Sequence, residues 1–262
     1  MEKPHNVYSF GRHELIAERK TARKIKNRLV LIFIFILAIL SLLLFIRSPM
    51  FTIYEISIDG VDKVSLEDIR TTIGIREGMN IWKISPPEIK RRILTIPRIA
   101  DVKVERVLPD KLSIVVNEKY PVLLVPYHGY YLELASDGIF IGIKDNYEGE
   151  LPLVNGLLWG AMDVGTGIPD KPRSEIIGIF LEALDLNPAL PLAEVNVENL
   201  QNTIIYTREG LEVWLGNSEN LSDKLQIFET IYYRLLSTEE NFLEGYLDLR
   251  VQEAPVFKPI QK

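Results

Sequence analysis

"VKVERVLPDKLSIVVNEKYP" (Val102–Pro121) consists of two alternating runs on either side of a reversal. Val102 and Val104 face one way and Lys103 and Glu105 the other; beyond Leu108, Pro109 and Asp110 the alternation resumes through Leu112, Ile114 and Val116. A period of two with proline and aspartate at the break predicts a half-buried antiparallel hairpin. Two short amphipathic helices precede it. In "SLEDIRTTIG", Ser65 is placed to cap with Asp68 as its box partner, Leu66, Ile69 and Ile73 share a face, and Gly74 stops the run. In "SPPEIKRRIL", Ser85 is the N-cap, Pro86 takes the first helical position, Glu88 is the box partner, and Ile89, Ile93 and Leu94 line one side up to Pro97. Phe51–Asp59 alternates as a strand and stops at Gly60. The predicted order is strand, helix, helix, strand, strand, which is a three-stranded sheet with two helices on one face.

Working toward the N-terminus, "LVLIFIFILAILSLLLFI" (Leu29–Ile46) contains Ser41 as its one polar residue. A helix of that length covers roughly 27 Å, close to the hydrocarbon thickness of a bilayer. Arg19, Lys20, Arg23, Lys24, Lys26 and Arg28 crowd its N-terminal flank, whereas beyond Arg47 the next basic residue is Lys63. The positive-inside rule therefore predicts a cytoplasmic N-terminus and an exported body from residue 47 onward. A cleaved signal peptide fits less well, because the apolar run is too long and no small-x-small site follows "FIRSPMF". The net charge of -6 divides unevenly: residues 1–28 hold eight Lys/Arg and three Glu, a net of +5, and the remainder carries -11. An acidic body argues against nucleic-acid binding. The chain has no cysteine, which excludes thiol nucleophiles, disulfides and Cys-based metal sites.

Past Pro121 strands dominate. "VLLVP", "YYLEL" and "IFIGI" are joined through "YHG" and "ASDG" turns. Ser174–Asp185 reads as a helix with Ile177, Phe180, Leu181 and Leu184 on one stripe. "EVNV", "TIIYT" and "LEVWL" follow as strands, then a helix capped by Ser222 with Leu225, Phe228, Tyr232 and Leu235 on one side. The last strand is "GYLDLRV" (Gly245–Val251), with Leu247, Leu249 and Val251 inward and Tyr246, Asp248 and Arg250 outward. The fold class is α+β: one N-terminal transmembrane helix, a β-α-α-β-β domain, and a mixed β-rich domain with two helices.

The β-α-α-β-β order and size are similar to a POTRA domain, and the whole layout resembles the bacterial cell-division family FtsQ, called DivIB in many Gram-positive species. The resemblance rests on "ISIDGVDKVSLEDIRTTIGIREGMNIWKI", "IPRIADVKVERVLPDKLSIVVNEKYPV", "YYLELASDGIFIG" with "LPLVNGL", and "GYLDLRV". It implies a basic cytoplasmic tail (1–28), a membrane span (29–46), a POTRA domain (50–119), an FtsQ-type β domain (120–253) and a C-terminal tail (254–262). It further implies a non-enzymatic divisome scaffold in the cell membrane, enriched at the division septum. The partners implied are FtsB-like (or DivIC-like) and FtsL-like bitopic proteins, and through them the septal synthases FtsW and FtsI; no nucleic acid, small-molecule substrate or cofactor is implied. The family's last strand is where partner strands add, so Tyr246, Asp248, Leu249, Arg250, Val251, Gln252, Val256 and Phe257 are the partner-binding candidates. Val251 stands where relatives often place an aromatic. For the hairpin, a second docking edge and a plain spacer both remain open.

Two other function classes are weighed against this reading. A membrane-anchored cell-wall hydrolase needs a catalytic set, and His128 is the one histidine beyond the span; no HExxH, GxSxG, SxxK or Gly-rich phosphate loop occurs, and paired carboxylates are not identifiable from sequence. A POTRA protein of outer-membrane assembly or secretion needs a long series of barrel strands, which the residues after Pro121 do not supply. Trp82, Trp159 and Trp214 read as core or loop anchors, and Lys90, Arg91 and Arg92 as a solvated helix face.

Overall fold

A computed structural model describes residues 10–149, 151–157, 160–237, 244–252 and 254–259, with side chains from residue 26 onward. Helix α1 (Phe10–Ile46) contains the segment Lys26–Ile46, of mean hydropathy 3.5, long and apolar enough to cross a membrane. A 3-10 turn, Pro49–Phe51, follows it, with the Ser48 hydroxyl accepting from Met50 N and proline at the first position. The expected strand over Phe51–Asp59 is therefore shorter, and β1 spans Glu55–Asp59. The capped proline turn takes the helical alternative for Phe51, while Phe51 and Ile53 are still buried.

Helices α2 (Leu66–Ile73) and α3 (Pro86–Ile93) form where expected. Ser65 accepts from Glu67 N, and Gly74 closes α2 in the left-handed region. Each helix buries two isoleucines, Ile69 with Ile73 and Ile89 with Ile93. Leu66 and Leu94, expected on the buried faces, are exposed because both helices are barely two turns long and these residues lie at their ends. Strands β2 (Ile99–Val107) and β3 (Lys111–Glu118) are the expected hairpin, and β3 is the middle strand of a sheet ordered β1-β3-β2. Leu112, Ile114 and Val116 are buried while Val115 and Asn117 are exposed.

By contacts the chain divides into two units: Met1–Ser57 with Ile75–Pro86 and Glu105–Ser113, and Ile58–Gly74 with Pro87–Val104 and Ile114–Lys262. In the second, Glu118 is buried and its carboxylate accepts from the backbone N–H groups of Asp62 (2.8 Å), Lys63 (3.0 Å) and Val64 (3.0 Å). Burial pushes this carboxyl up, but the three N–H donors and the nearby charge of Arg98 outweigh it, so the group sits below the ordinary carboxylate range. A folded pKa below the unfolded one stabilises above the unfolded value and ceases to do so as pH falls through the folded one. Glu118→Ala is expected to cost about 1–3 kcal/mol at neutral pH, because three donors lose their acceptor. The difference from wild type should shrink as the pH falls below the ordinary glutamate range, which chemical denaturation across pH measures.

The second unit also holds a nine-stranded mixed sheet, ordered β12-β11-β10-β9-β8-β7-β4-β5-β6. β4 (Pro121–Tyr127), β5 (Tyr130–Ala135) and β6 (Phe140–Lys144) are the expected hairpins, followed by β7 (Leu153–Asn155), β8 (Glu194–Asn196), β9 (Thr203–Tyr206) and β10 (Leu211–Gly216). Helix α4 (Lys171–Leu186) starts three residues earlier than its apolar stripe suggests, with Asp170 as N-cap and Pro172 in the first turn. Helix α5 (Leu221–Leu236) is entered through Asn220, whose backbone is left-handed, so Ser222 lies inside the first turn and is not the cap. One core joins Ile177, Phe180 and Leu184 of α4, Leu225, Phe228 and Tyr232 of α5, and Leu123, Val195, Ile205, Val213 and Leu247 of the strands.

The C-terminal end departs most from expectation. β11 (Gly245–Asp248) runs parallel to β10, and its other side is paired by an antiparallel β12 (Val256–Pro259) drawn from the tail. The strand "GYLDLRV" therefore ends at Asp248 and is not the sheet edge; β12 is. Val251, expected inward, is exposed in the turn between them.

A candidate partner-binding face

β10, β11 and β12 share a register that fixes what their two faces carry. Glu212 is level with Tyr246 and Trp214 with Asp248, while Tyr246 is level with Lys258 and Asp248 with Val256. Period-two alternation puts Val213, Leu215, Leu247 and Phe257 on the side of the helices and leaves Glu212, Trp214, Tyr246, Asp248 and Lys258 on the other face.

On that other face the side chains interlock. The Trp214 and Tyr246 rings stack at 4.9 Å between centroids and 12° between planes. The Arg250 guanidinium lies 4.7 Å from the Trp214 ring centre, and the Lys258 ammonium 5.5 Å from that of Tyr246. Cation, indole, phenol and cation thus form a row across three strands, each ring supplying its negative face to a neighbour. Asp248 holds the arginine in place, accepting from Arg250 N (3.0 Å), Nε (2.9 Å) and a terminal nitrogen (2.6 Å). The fork from Arg250 is the main reason the Asp248 carboxyl sits below its ordinary range, and the same bond raises Arg250. The indole N–H is committed too, donating to Glu212 at 2.6 Å. A hydrogen bond with Tyr246 raises the Lys258 ammonium.

The structure brings Tyr246, Asp248 and Arg250 together on this face as expected, with Val251 and Gln252 in the adjoining turn and Val256 at the start of the edge strand. Two of the candidates lie elsewhere. Leu249 is fully buried and its N–H donates to the Trp214 carbonyl at 2.9 Å, so its side chain supports the strand from the core. Phe257 packs against the core opposite Leu247. Trp214 and Lys258 join the face without any signal of their own in the sequence. The alternation of "LEVWL" puts Glu212 and Trp214 together, but which face they take depends on β11 and β12, which are far away in sequence. Trp159 lies outside the described residues. Trp82 is an exposed residue of a second 3-10 turn (Ile81–Lys83), and Lys90 and Arg92 are paired with Asp101 and Glu88. Among the described residues no group of three or more His, Asp or Glu is placed to hold a metal.

The family model described as "POTRA domain, FtsQ-type" matches residues 51–119, and the one described as "Cell division protein FtsQ/DivIB, C-terminal" matches residues 124–250. The chain belongs to the FtsQ/DivIB family. It is similar to the cell division protein DivIB of Clostridium botulinum, 26% identical over 249 residues, which are 93% of this chain and 95% of that protein. DivIB of Clostridium acetobutylicum is 24% identical over 214 residues, covering 81% and 84% of the two chains. DivIB of Staphylococcus aureus is 26% identical over 216 residues, 80% of this chain and 46% of that longer protein. The extracytoplasmic domain of DivIB from Geobacillus stearothermophilus aligns with 47% of this chain and 99% of its own, at 18% identity and a TM-score of 0.33, too slight to carry an argument. In this FtsQ/DivIB chain the C-terminal family match stops at Arg250, and β12 lies beyond it.

Proposed function

We propose that this cell-division protein is a non-enzymatic scaffold, anchored by α1 with its N-terminus in the cytoplasm and its body outside, which gathers bitopic partners at the division septum. Residues 50–119 form the POTRA domain and 120–253 the β domain, with β12 of the tail completing the latter. The partners are FtsB-like or DivIC-like and FtsL-like chains, and through them the complex acts on the FtsW/FtsI septal synthase. The observation that carries the reading is the row Arg250–Trp214–Tyr246–Lys258 beside an edge strand with one side unpaired among the described residues. An edge strand offers N–H and C=O groups to an added strand, and a rigid aromatic pair beside it supplies an anchor that loses little entropy on binding.

The test is capture of FtsB-like and FtsL-like ectodomains by the purified full-length protein. Wild type should retain them and Arg250→Glu should not, because the charge reversal faces Asp248 and breaks the row. Phe257→Ala should weaken capture indirectly by loosening β12 from the core. Equal capture by all three rules out this face, and no capture by wild type rules out the function.

A further inference from the structure

The end of the membrane helix and the first exported residues are built as one piece. The Asn80 side-chain amide donates to the Ile46 carbonyl at 3.0 Å, satisfying one of the orphan carbonyls at the end of α1. Phe45, in the last helical turn, meets Phe51 edge-on at 5.2 Å, and Phe51 meets Trp82 at 5.7 Å. Arg106 lies over the Trp82 ring at 5.7 Å and donates to the Ile84 carbonyl at 2.5 Å. Tyr54 N donates to the Asp110 carbonyl at 2.8 Å, which puts Tyr54 beside the hairpin tip. All of these residues belong to the unit that contains α1.

Around this clasp the same unit exposes Met50, Tyr54, Met79, Trp82, Val107 and Leu108, each by at least 40%. Such a concentration of apolar and aromatic side chains is unusual on a surface that meets only water. Its charge is also unlike the rest of the body. Beyond the span this unit has five basic residues (Arg47, Arg76, Lys83, Arg106, Lys111) and four acidic ones (Glu55, Glu77, Glu105, Asp110), a net of +1. Since residues 29–262 total -11, everything else carries -12. An acidic body is repelled by anionic headgroups, whereas this collar is not.

We propose that the collar is a lipid-binding surface, with the 3-10 turns and the β2–β3 tip seated in the headgroup and upper acyl region of the bilayer that α1 crosses. The proposal rests on the span reading of α1. Continuity with the span selects lipid as the occupant: Trp82 is two ring contacts from Phe45, and Phe45 lies within the apolar segment itself. Trp and Tyr prefer this depth, and the exposed Lys83 and Arg47 are spaced among the apolar groups to reach phosphates.

The absence of cysteine makes the test direct. Full-length protein carrying a single nitroxide at Leu108→Cys or Met79→Cys is reconstituted into vesicles of phosphatidylethanolamine and phosphatidylglycerol. Collision with oxygen is compared with collision with a water-soluble nickel chelate. Leu37→Cys, inside the apolar segment, and Ile143→Cys, exposed on β6, give the deep and aqueous references. The ratio at positions 79 and 108 should shift from the Ile143 value toward the Leu37 value, as for groups ~5–10 Å into the boundary. A ratio equal to that of Ile143 at either position overturns the proposal with the span intact. An aqueous ratio at Leu37 overturns the span reading along with it.

Discussion

Replacing Arg173 with alanine should destabilise the β domain by about 3–5 kcal/mol, a large share of what holds an ordinary domain folded. Arg173 is buried in the first turn of α4, yet every part of its guanidinium is engaged. Nε donates to the carbonyls of Gly156 (2.8 Å) and Val197 (3.0 Å), one terminal nitrogen to the carbonyl of Glu198 (2.7 Å), and the other to the N-cap carboxylate Asp170 (2.6 Å). The side chain thus joins the ends of β7 and β8 to the start of α4. Truncation takes the guanidinium donor from three carbonyls and leaves the Asp170 carboxylate with only its capping bond from the residue-173 N–H, and each buried group so deprived costs about 1–3 kcal/mol. The approach of these carbonyls also requires glycine at 156. Its φ is +85°, and a Cβ there would lie 2.2 Å from Glu198 N. A thermal melt should show the Arg173→Ala midpoint lowered by roughly 10 °C or more. Arg173→Lys should recover part of this, since an ammonium reaches one or two of the four acceptors. Arg91→Ala, on an exposed helix position, should stay within about 0.5 kcal/mol of wild type.

The second large effect concerns binding. Trp214→Ala should weaken capture of the FtsB-like and FtsL-like ectodomains by about 2–4 kcal/mol, roughly 30- to 1,000-fold. Trp214 is the plate on which both Arg250 and Tyr246 rest, so its removal frees two neighbours as well as deleting its own contact surface. It is half-buried on the face away from the helices, and the domain should therefore remain folded, as an unchanged melt would confirm. Ile143→Ala, on the opposite edge of the same sheet, should leave capture unchanged. Equal loss in both variants would mean that the row on β10–β12 is not the anchor.

What the sequence makes legible follows from which forces are local. The β2–β3 hairpin and the stripes of α4 and α5 are visible because period 2 and period 3.6 are properties of neighbouring residues. β12 is not visible. "VFKP" follows Pro255 and itself ends in a proline, and it is a strand only because β11 supplies a partner. The exposed aim of Trp214 has the same origin, since the parallel pairing of β10 with β11 is set across the whole of α5. Arg173 and Glu118 carry no sequence signal because charged residues are usually exposed; only the converging carbonyls or N–H groups reveal a buried one. For the candidate site, a resemblance to the last strand of a family locates the region, while the register of three strands decides that Leu249 and Phe257 face the core and Trp214 and Lys258 do not.

The central claim is that partner chains add at the β12 edge beside the Trp214–Tyr246 pair. Amide hydrogen exchange of the full-length protein, with and without the FtsB-like and FtsL-like ectodomains, tests it most directly. Partner-dependent slowing should concentrate at Val256–Lys258 and spread to Tyr246–Gln252. Unchanged exchange there, with new protection confined to β6 or to α2 and α3, would contradict it.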